Sequence, residues 1–427
     1  MNYESTLEYL YNQLPTYQHI GSTAYKPGLD NTIQLLQVLD NPHTKFKTIH
    51  VAGTNGKGSV SHFLASIFQS QGYKTGLYTS PHLVDFGERI RVNGEMINRD
   101  YVVNFVEQNI DIFQTIQPSF FEATMSMAFN YFADQQVDIA IIEVGLGGRL
   151  DSTNVISPII SVITNISFDH MNLLGNTLAQ IASEKAGIIK QNTPVVIGEL
   201  QQETISVFRE KANELGSPLF IADGEFQVDG YNGSKIIYTD KNINKYKLGL
   251  TGNYQMKNLA TVLKTIEIIN ESKNIPFQIS KEALDEGLEN VVENTGLKGR
   301  WEVLSNQPLT IADTGHNVAG IEFVVSQLAE MKYNKLHFII GMVNDKDITH
   351  VLELLSPKAE YYFTQANIAR ALAATELQDL AKKYRLSGNA FQTVEKAVSA
   401  AQFNAGTDDI IFIGGSNFVV GEALILF

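Results

Sequence analysis

The stretch Val51-Ala52-Gly53-Thr54-Asn55-Gly56-Lys57-Gly58-Ser59 constrains this chain more than any other. It lies between the apolar run Lys47 to Val51 and a helical pattern starting near Ser59, giving the order strand, glycine-rich turn, helix. Three glycines let the backbone curl with its N–H groups pointing inward, Lys57 has the reach for terminal phosphates, and a helix N-terminus favours an anion. The expected ligand is a nucleoside triphosphate, cradled by Asn55, Gly56, Lys57, Gly58 and Ser59. The strict phosphate-loop pattern is not met. Gly58 separates Lys57 from the Ser59 hydroxyl, and the position five before Gly56 is Val51. A tight β–α turn without a ligand is the local alternative.

At 427 residues and 44% hydrophobic content the chain is long enough for two or three domains, each with its own core. With 46 acidic against 32 basic residues the net charge is -14, which offers no electrostatic footprint for nucleic acid or an anionic membrane. There is no cysteine, so disulfides, thiolate nucleophiles and zinc–thiolate sites are excluded. Met1 to Leu10 carries Glu4 and Glu8 and lacks a signal-peptide layout, and no apolar run reaches membrane-spanning length. A cytoplasmic monomer acting on small molecules is the default expectation.

In chain order, the first forty residues read as two helical pieces, broken around Leu14-Pro15 and Lys26-Pro27-Gly28, with Leu29, Ile33, Leu36 and Leu39 at helical spacing. A strand, Tyr73 to Thr79, runs into Thr79-Ser80-Pro81-His82-Leu83; Ser80 suits a metal or phosphate contact or a turn hydroxyl, and His82 reads as a surface histidine. Pro118 to Gln136 is a helix that is apolar on several sides, with Glu122 in its first turn, where a carboxylate complements the helix dipole.

The buried strand Asp138 to Val144 ends in Glu143 before Gly145-Leu146-Gly147-Gly148-Arg149-Leu150-Asp151. A carboxylate among Ile141, Ile142 and Val144 needs a cation, either Mg²⁺ or Arg149. A second buried strand, Ile159 to Ile166, leads to Asp169-His170 and the helix Thr177 to Ile189, which carries Lys185. In a parallel sheet the strand ends before Lys57, at Glu143 and before Asp169-His170 converge on one rim. Further strands and the helices Glu203 to Leu215 and Tyr254 to Asn270 follow, and Glu293 to Gly299 breaks the composition as a linker. Strands Leu309 to Ala312, Leu336 to Gly341, Glu360 to Thr364 and Ile410 to Gly414 then alternate with helices, the pattern of a doubly wound sheet. The expected class is α/β, a phosphate-loop domain over 1–295 with a mostly parallel sheet and a smaller Rossmann-like α/β domain over 296–427.

Gly53 to Ser59, Thr79 to Leu83, Glu143 to Asn154 and Ser167 to Lys190 together closely resemble folylpolyglutamate synthase and its bifunctional relative dihydrofolate synthase, of the Mur-ligase superfamily. The resemblance spans nearly the whole chain. It implies an ATP-dependent ligase that adds L-glutamate to folates, and to dihydropteroate, through an acyl phosphate. It implies that Ser80, Glu143 and His170 ligate Mg²⁺, two ions in all, and that Lys185 is carbamylated. It places pterin and benzoyl groups near Phe121, Glu122, Ala123 and Thr124 and near Asp151, Ser152 and Thr153, and adenine near Asn258. Arg300 and Asp313 fall at the ATP site, His316 near the acyl phosphate and incoming glutamate, and Ser416 in the glutamate pocket. Lys57, Lys185 and His316 are the implied catalytic groups. Here Asp313-Thr314-Gly315-His316-Asn317 replaces the family's usual Asp-Gly-Ala-His-Asn. Gly341 to Asp347 and Arg370-Ala371 follow the family, and Gln365-Ala366-Asn367 departs from it.

Bland readings stand beside these: Lys185 as a helix lysine paired with an acid, Asn258 as a solvated helix residue, Arg300 bridged to Glu302, Asp313 or Asn317 as a helix cap. Two rivals are a cell-wall ligase, which needs a larger domain ahead of the loop than fifty-two residues allow, and a nucleotide-binding switch protein without ligase chemistry.

Overall fold

The computed structural model describes residues 1–15, 28–222, 224–232, 235–344 and 346–427. The Lys26-Pro27 part of the expected helix break, and Asp345 within Gly341 to Asp347, lie outside the described residues.

Eight strands form the first sheet: β1 Lys47–Ala52, β2 Thr75–Tyr78, β3 Ile90–Val92, β4 Glu95–Met96, β5 Ile139–Glu143, β6 Ile160–Ile163, β7 Val195–Ile197 and β8 Leu219–Ile221, in the order β4-β3-β2-β5-β1-β6-β7-β8. From β2 to β8 all neighbours are parallel; β3 and β4 extend the edge antiparallel. β9 Phe226–Asn232, β10 Lys235–Asp240 and β11 Lys245–Leu248 make a small antiparallel sheet. After Gly296 come β12 Glu302–Asn306, β13 Leu309–Ala312, β14 Leu336–Ile340, β15 Glu360–Phe363, β16 Ser387–Ala390 and β17 Ile410–Gly414, ordered β12-β13-β17-β14-β15-β16 and parallel except for β12. The expected α/β class holds, with a second α/β domain at the C-terminal side.

The continuous apolar run of β5 has a direct cause. Successive side chains of a strand point to opposite faces, so a strand covered on both sides must be apolar at every position. Ile139 and Ile141 face one core with Ile49, Val51 and the helix Lys57–Ser70; Ala140 and Ile142 face another with Tyr78 and the helix Phe120–Asp134. The latter helix is apolar on several sides because it is buried almost throughout, from Phe120 through Phe132. Each such aromatic ring removed from water contributes about 2 kcal/mol. The C-terminal sheet repeats the arrangement, with Phe338 and Phe412 on one face and Ile339 and Ile413 on the other.

Three local expectations change. In the helix Asp30–Val38 the buried positions are Thr32, Leu35 and Leu36, whereas Ile33 is 44% exposed. Glu293, Asn294 and Thr295 are not a linker but the end of the helix Val291–Thr295, stopped by Gly296 in the left-handed region at φ 64. His82 is not a surface group, for its ring sits between Tyr11 and Arg89.

Ile141 has no exposed surface and lies on the strand that delivers Glu143. Ile141→Ala should lower the free energy of unfolding by about 3 kcal/mol, measured by urea denaturation of the purified protein.

Candidate functional site

β1 sits between β5 and β6 with Val51 opposite Glu143 and Val162. The C-terminal ends of these three strands therefore share one rim, from which the loops carrying Lys57, the glycine turn after Glu143 and Asp169-His170 leave. The loop after β1 is held open from both sides. Gly53 has φ 148, and a methyl group there would collide with the Thr164 side chain beyond β6. Gly56 caps the helix Lys57–Ser70 at φ 84, and a methyl group there would strike the Asn258 amide. Asn258 is thus a buried neighbour of the loop and not a solvated helix residue; its Nδ2 donates to Gln255 Oε1 at 2.7 Å.

This rim opens into a cavity of about 370 Å³. Its lining takes in the whole loop from Gly53 to Ser59, then Ser80, Glu143, His170 and Lys185, then Asn258, Arg300, Asp313, His316 and Ser416. Phe121, Glu122, Asp151 and Ser152 line its other side. Ala123, Thr124 and Thr153 are fully buried behind that wall and do not reach the cavity. Thr124 sits under Phe121 and Tyr78. Thr153 donates its hydroxyl proton to Asp151 Oδ1 at 2.5 Å, so the buried His50 Nε2, 2.8 Å away, must be the donor to Thr153. Asp151 also accepts the Leu146 N–H at 2.8 Å, which ties down the glycine turn after β5. Glu122 combines two positions: it lines the cavity, and its Oε2 accepts the Ser119 N–H at 2.6 Å in a capping box.

Charge is concentrated where water is scarce. Lys57 Nζ donates to the Gly53 and Thr54 carbonyls at 3.0 and 3.1 Å, and Lys185 Nζ donates to Gly53 O at 2.9 Å. Burial draws the Lys57 ammonium below its usual pKa against the pull of Glu143 and Asp169. Burial and the Lys57 charge take Lys185 down to about 7. Glu143 moves the other way: burial raises its carboxyl, and Lys57, the Ser80 N–H, Arg300 and Arg89 oppose that rise. Its hydrogen-bond partner is the Ser80 N–H, on Oε2 at 3.1 Å. Arg149, the alternative counter-ion, pairs with Glu184 at 2.9 Å instead.

That arrangement fits a divalent cation. A buried carboxylate with one hydrogen bond and a raised pKa is a site that a cation would relieve. Ser80 stands beside it, and burial holds His170 near pKa 3, so its imidazole is neutral. Among the described residues no group of three or more His, Cys, Asp or Glu gathers for a metal. An ion here would complete its oxygen shell from phosphates and water, as Mg²⁺ does.

From the other side come groups of the C-terminal sheet. Asp313 accepts from the Tyr254 hydroxyl at 2.6 Å, the Trp301 N–H at 2.8 Å and the Gly315 N–H at 2.7 Å. Asn317, not Asp313, caps the following helix, accepting from the Gly320 N–H. Arg300 bonds the Thr314 hydroxyl and the Gly299 carbonyl, while Glu302 accepts the Gly299 N–H, so the Arg300–Glu302 bridge does not form. Ser416 caps the helix Asn417–Leu424.

Asp169 was passed over as a site residue, yet it joins the two halves. Its carboxylate takes Lys346 Nζ at 2.5 Å and Asn317 Nδ2 at 3.2 Å, with His316 Nε2 at 3.5 Å. Asn55 and Asn317 exchange amide hydrogen bonds beside it at 3.2 and 3.0 Å. Burial alone would raise the Asp169 pKa, but His316, His170 and Lys346 hold it well below the usual range. The only sequence signal was position, an acid one residue before His170 at a strand end.

Residues 51–266 match the family described as Mur ligase middle domain, and residues 299–417 match the Mur ligase glutamate ligase domain. A Bacillus subtilis dihydrofolate synthase/folylpolyglutamate synthase is 33% identical over 412 residues, covering 93% of this chain and 94% of that protein. Among solved structures, Escherichia coli FolC in complex with DHPP and ADP superposes with a TM-score of 0.84 at 28% identity, covering 100% of this chain and 97% of that one. A bifunctional folylpolyglutamate synthase/dihydrofolate synthase with Mn, AMPPNP and L-glutamate bound gives 0.84 at 30% identity, covering 100% and 98%.

Removing one partner of a buried ion pair costs about 3–5 kcal/mol. Asp169→Asn should therefore destabilise the protein by an amount of that order in chemical denaturation. Adding Lys346→Met should recover part of the loss, because the stranded ammonium goes with it.

Proposed function

This chain belongs to the Mur ligase superfamily and, within it, to the folylpolyglutamate synthase/dihydrofolate synthase family, and on that premise we propose how its cavity joins L-glutamate to a folate-type carboxylate. It is an ATP-dependent ligase. The single observation that carries the residue-level reading is the one cavity in which the phosphate loop, Glu143 and Lys185 face Arg300, Asp313 and His316. A nucleotide switch without ligase chemistry has no use for a buried Glu143 or for the C-terminal groups.

A carboxylate is a poor acylating agent. Transfer of the ATP γ-phosphoryl group converts it to an acyl phosphate; the glutamate amine then attacks the acyl carbon and inorganic phosphate leaves. In this reading the N–H groups from Asn55 to Ser59 cradle the phosphates, and Lys57 leaves its carbonyl partners to neutralise charge on the transferred group. Asn258 sits against the adenine, and Arg300 and Asp313 hold the nucleotide from the C-terminal side. Ser80, Glu143 and His170 would hold Mg²⁺, which supplies charge neutralisation to the phosphates; two ions are proposed in all. Phe121 and Asp151 shape the acceptor's pterin and benzoyl end, with Glu122 and Ser152 beside them. Ala123, Thr124 and Thr153 support that wall from behind. His316 and Ser416 receive glutamate. His316 Nδ1–H donates to Thr314 O at 2.9 Å, which aims Nε2 inward.

Lys185 has the chemistry for carbamylation: a buried amine near pKa 7 has a substantial neutral fraction near pH 7, and the neutral form is nucleophilic towards CO₂. The domain boundary at 295/296 and a cytoplasmic monomer complete the proposal, since one chain carries every group used.

The test is phosphate release by purified protein with ATP, Mg²⁺ and glutamate, comparing dihydropteroate with tetrahydrofolate. Release that depends on an acceptor and on glutamate is expected, and release indifferent to both would refute ligation. Glu143→Ala should reduce turnover at least a thousandfold while its circular dichroism is unchanged. Because a depressed lysine pKa means the neutral amine is lost as pH falls through about 7, carbamylation, read as an added carboxyl mass on the peptide containing Lys185, should fall at pH 6 and recover with bicarbonate at pH 8.

A further inference from the structure

Arg89 is 3% exposed and lines the same cavity as Lys57 and Glu143, on the side of Phe120 and Phe121. A guanidinium in that position would be expected to have a carboxylate partner, because a buried unpaired charge is expensive. None of the described residues provides one. Nε donates to His82 Nδ1 at 2.7 Å, and the guanidinium lies over the Phe120 ring, 5.1 Å from its centre.

Each acid nearby is committed elsewhere. Glu88, the adjacent residue, accepts the N–H groups of Leu83, Val84 and Asp85. Glu143 accepts from Ser80, and Glu122 from Ser119 and Thr32. Among the described residues, the two terminal amino groups of Arg89 have no acceptor.

The group is nonetheless held still. His82 Nδ1 accepts from Arg89, so its Nε2 carries the ring proton and faces the Tyr11 hydroxyl at 3.3 Å. Tyr11 stacks on Phe120 at 5.1 Å, closing the ring of contacts, and the Arg89 carbonyl accepts the Thr79 N–H beside Ser80. A fork fixed through Nε, on a residue that lines the cavity, suits a planar anion with two oxygens.

We infer that Arg89 binds a carboxylate of the acceptor substrate, gripping it with both terminal amino groups. The inference rests on the ligase reading above and adds a residue to it. In that reading the N–H groups of the loop from Gly53 to Ser59 serve the phosphates, which leaves Arg89 to a carboxylate. Tetrahydrofolate carries a non-reacting carboxylate as well as the one to be activated; dihydropteroate carries only the latter. The two sources can be told apart.

Arg89→Met, which keeps most of the packing volume, should raise the KM for the acceptor at least tenfold and leave the KM for ATP within twofold. Arg89→Lys should fall between. A rise confined to tetrahydrofolate assigns the non-reacting carboxylate; a rise with both acceptors assigns the activated one; either supports the proposal. Acceptor KM values within twofold of wild type, or an equal rise for ATP, would overturn it. Calorimetry on the wild-type protein supplies a readout that does not depend on any variant folding. A carboxamide analogue of the acceptor should bind at least tenfold more weakly than the carboxylate, and equal affinities would overturn the proposal. Wild-type protein that ligates neither acceptor refutes the ligase reading itself, whereas normal ligation with unchanged Arg89→Met kinetics refutes only this assignment.

Discussion

The parallel pairing of β1 with β5 on one side and β6 on the other is what the site depends on. A parallel sheet aligns the ends of its strands, and side-chain packing on both faces forbids a slip of register. Moving β5 by one residue would turn Ile139 and Ile141 out of one core and into the other. It would also turn Glu143 away from the loop. The rim that opens into the cavity is therefore held by apolar burial on both faces of the sheet.

Around that rim the chain gathers charges that would be costly one at a time. Lys57, Lys185, Glu143 and Asp169 are each largely withdrawn from water, and their pKa values move in directions set by burial and by one another. Asp169 relieves the strain by pairing across to Lys346 and His316, which brings the C-terminal sheet against the loop. Glu143 and Arg89 are left with less than a full set of partners, and both open into the cavity.

The fold class and most of the cavity lining were legible because strand ends and glycine turns are local signals. Val51 to Ser59, Glu143 with its glycine turn and Asp313 to Asn317 stand out in one dimension. Arg89 did not, since an arginine in a polar segment looks solvated until Phe120, His82 and Tyr11 close around it. His82 was misjudged for the same reason. The linker was misplaced because a polar composition break describes the last turn of the helix Val291–Thr295 as well as it describes a loop. Ala123, Thr124 and Thr153 entered as parts of the segments the resemblance implied; they lie behind the cavity wall because neighbours on a helix or turn point in different directions.

Periodicity, glycine placement and the order of strands and helices, read from the chain alone, determined the α/β class and the phosphate loop, while the family rested on the likeness of whole segments such as Gly53 to Ser59 and Glu143 to Asn154. Those features depend on backbone geometry and on which faces are covered, and both leave a regular trace in residue order. Which charges pair and which remain open was decided only in three dimensions. A salt bridge such as Asp169–Lys346 spans 177 positions, and no local pattern records a distance that long.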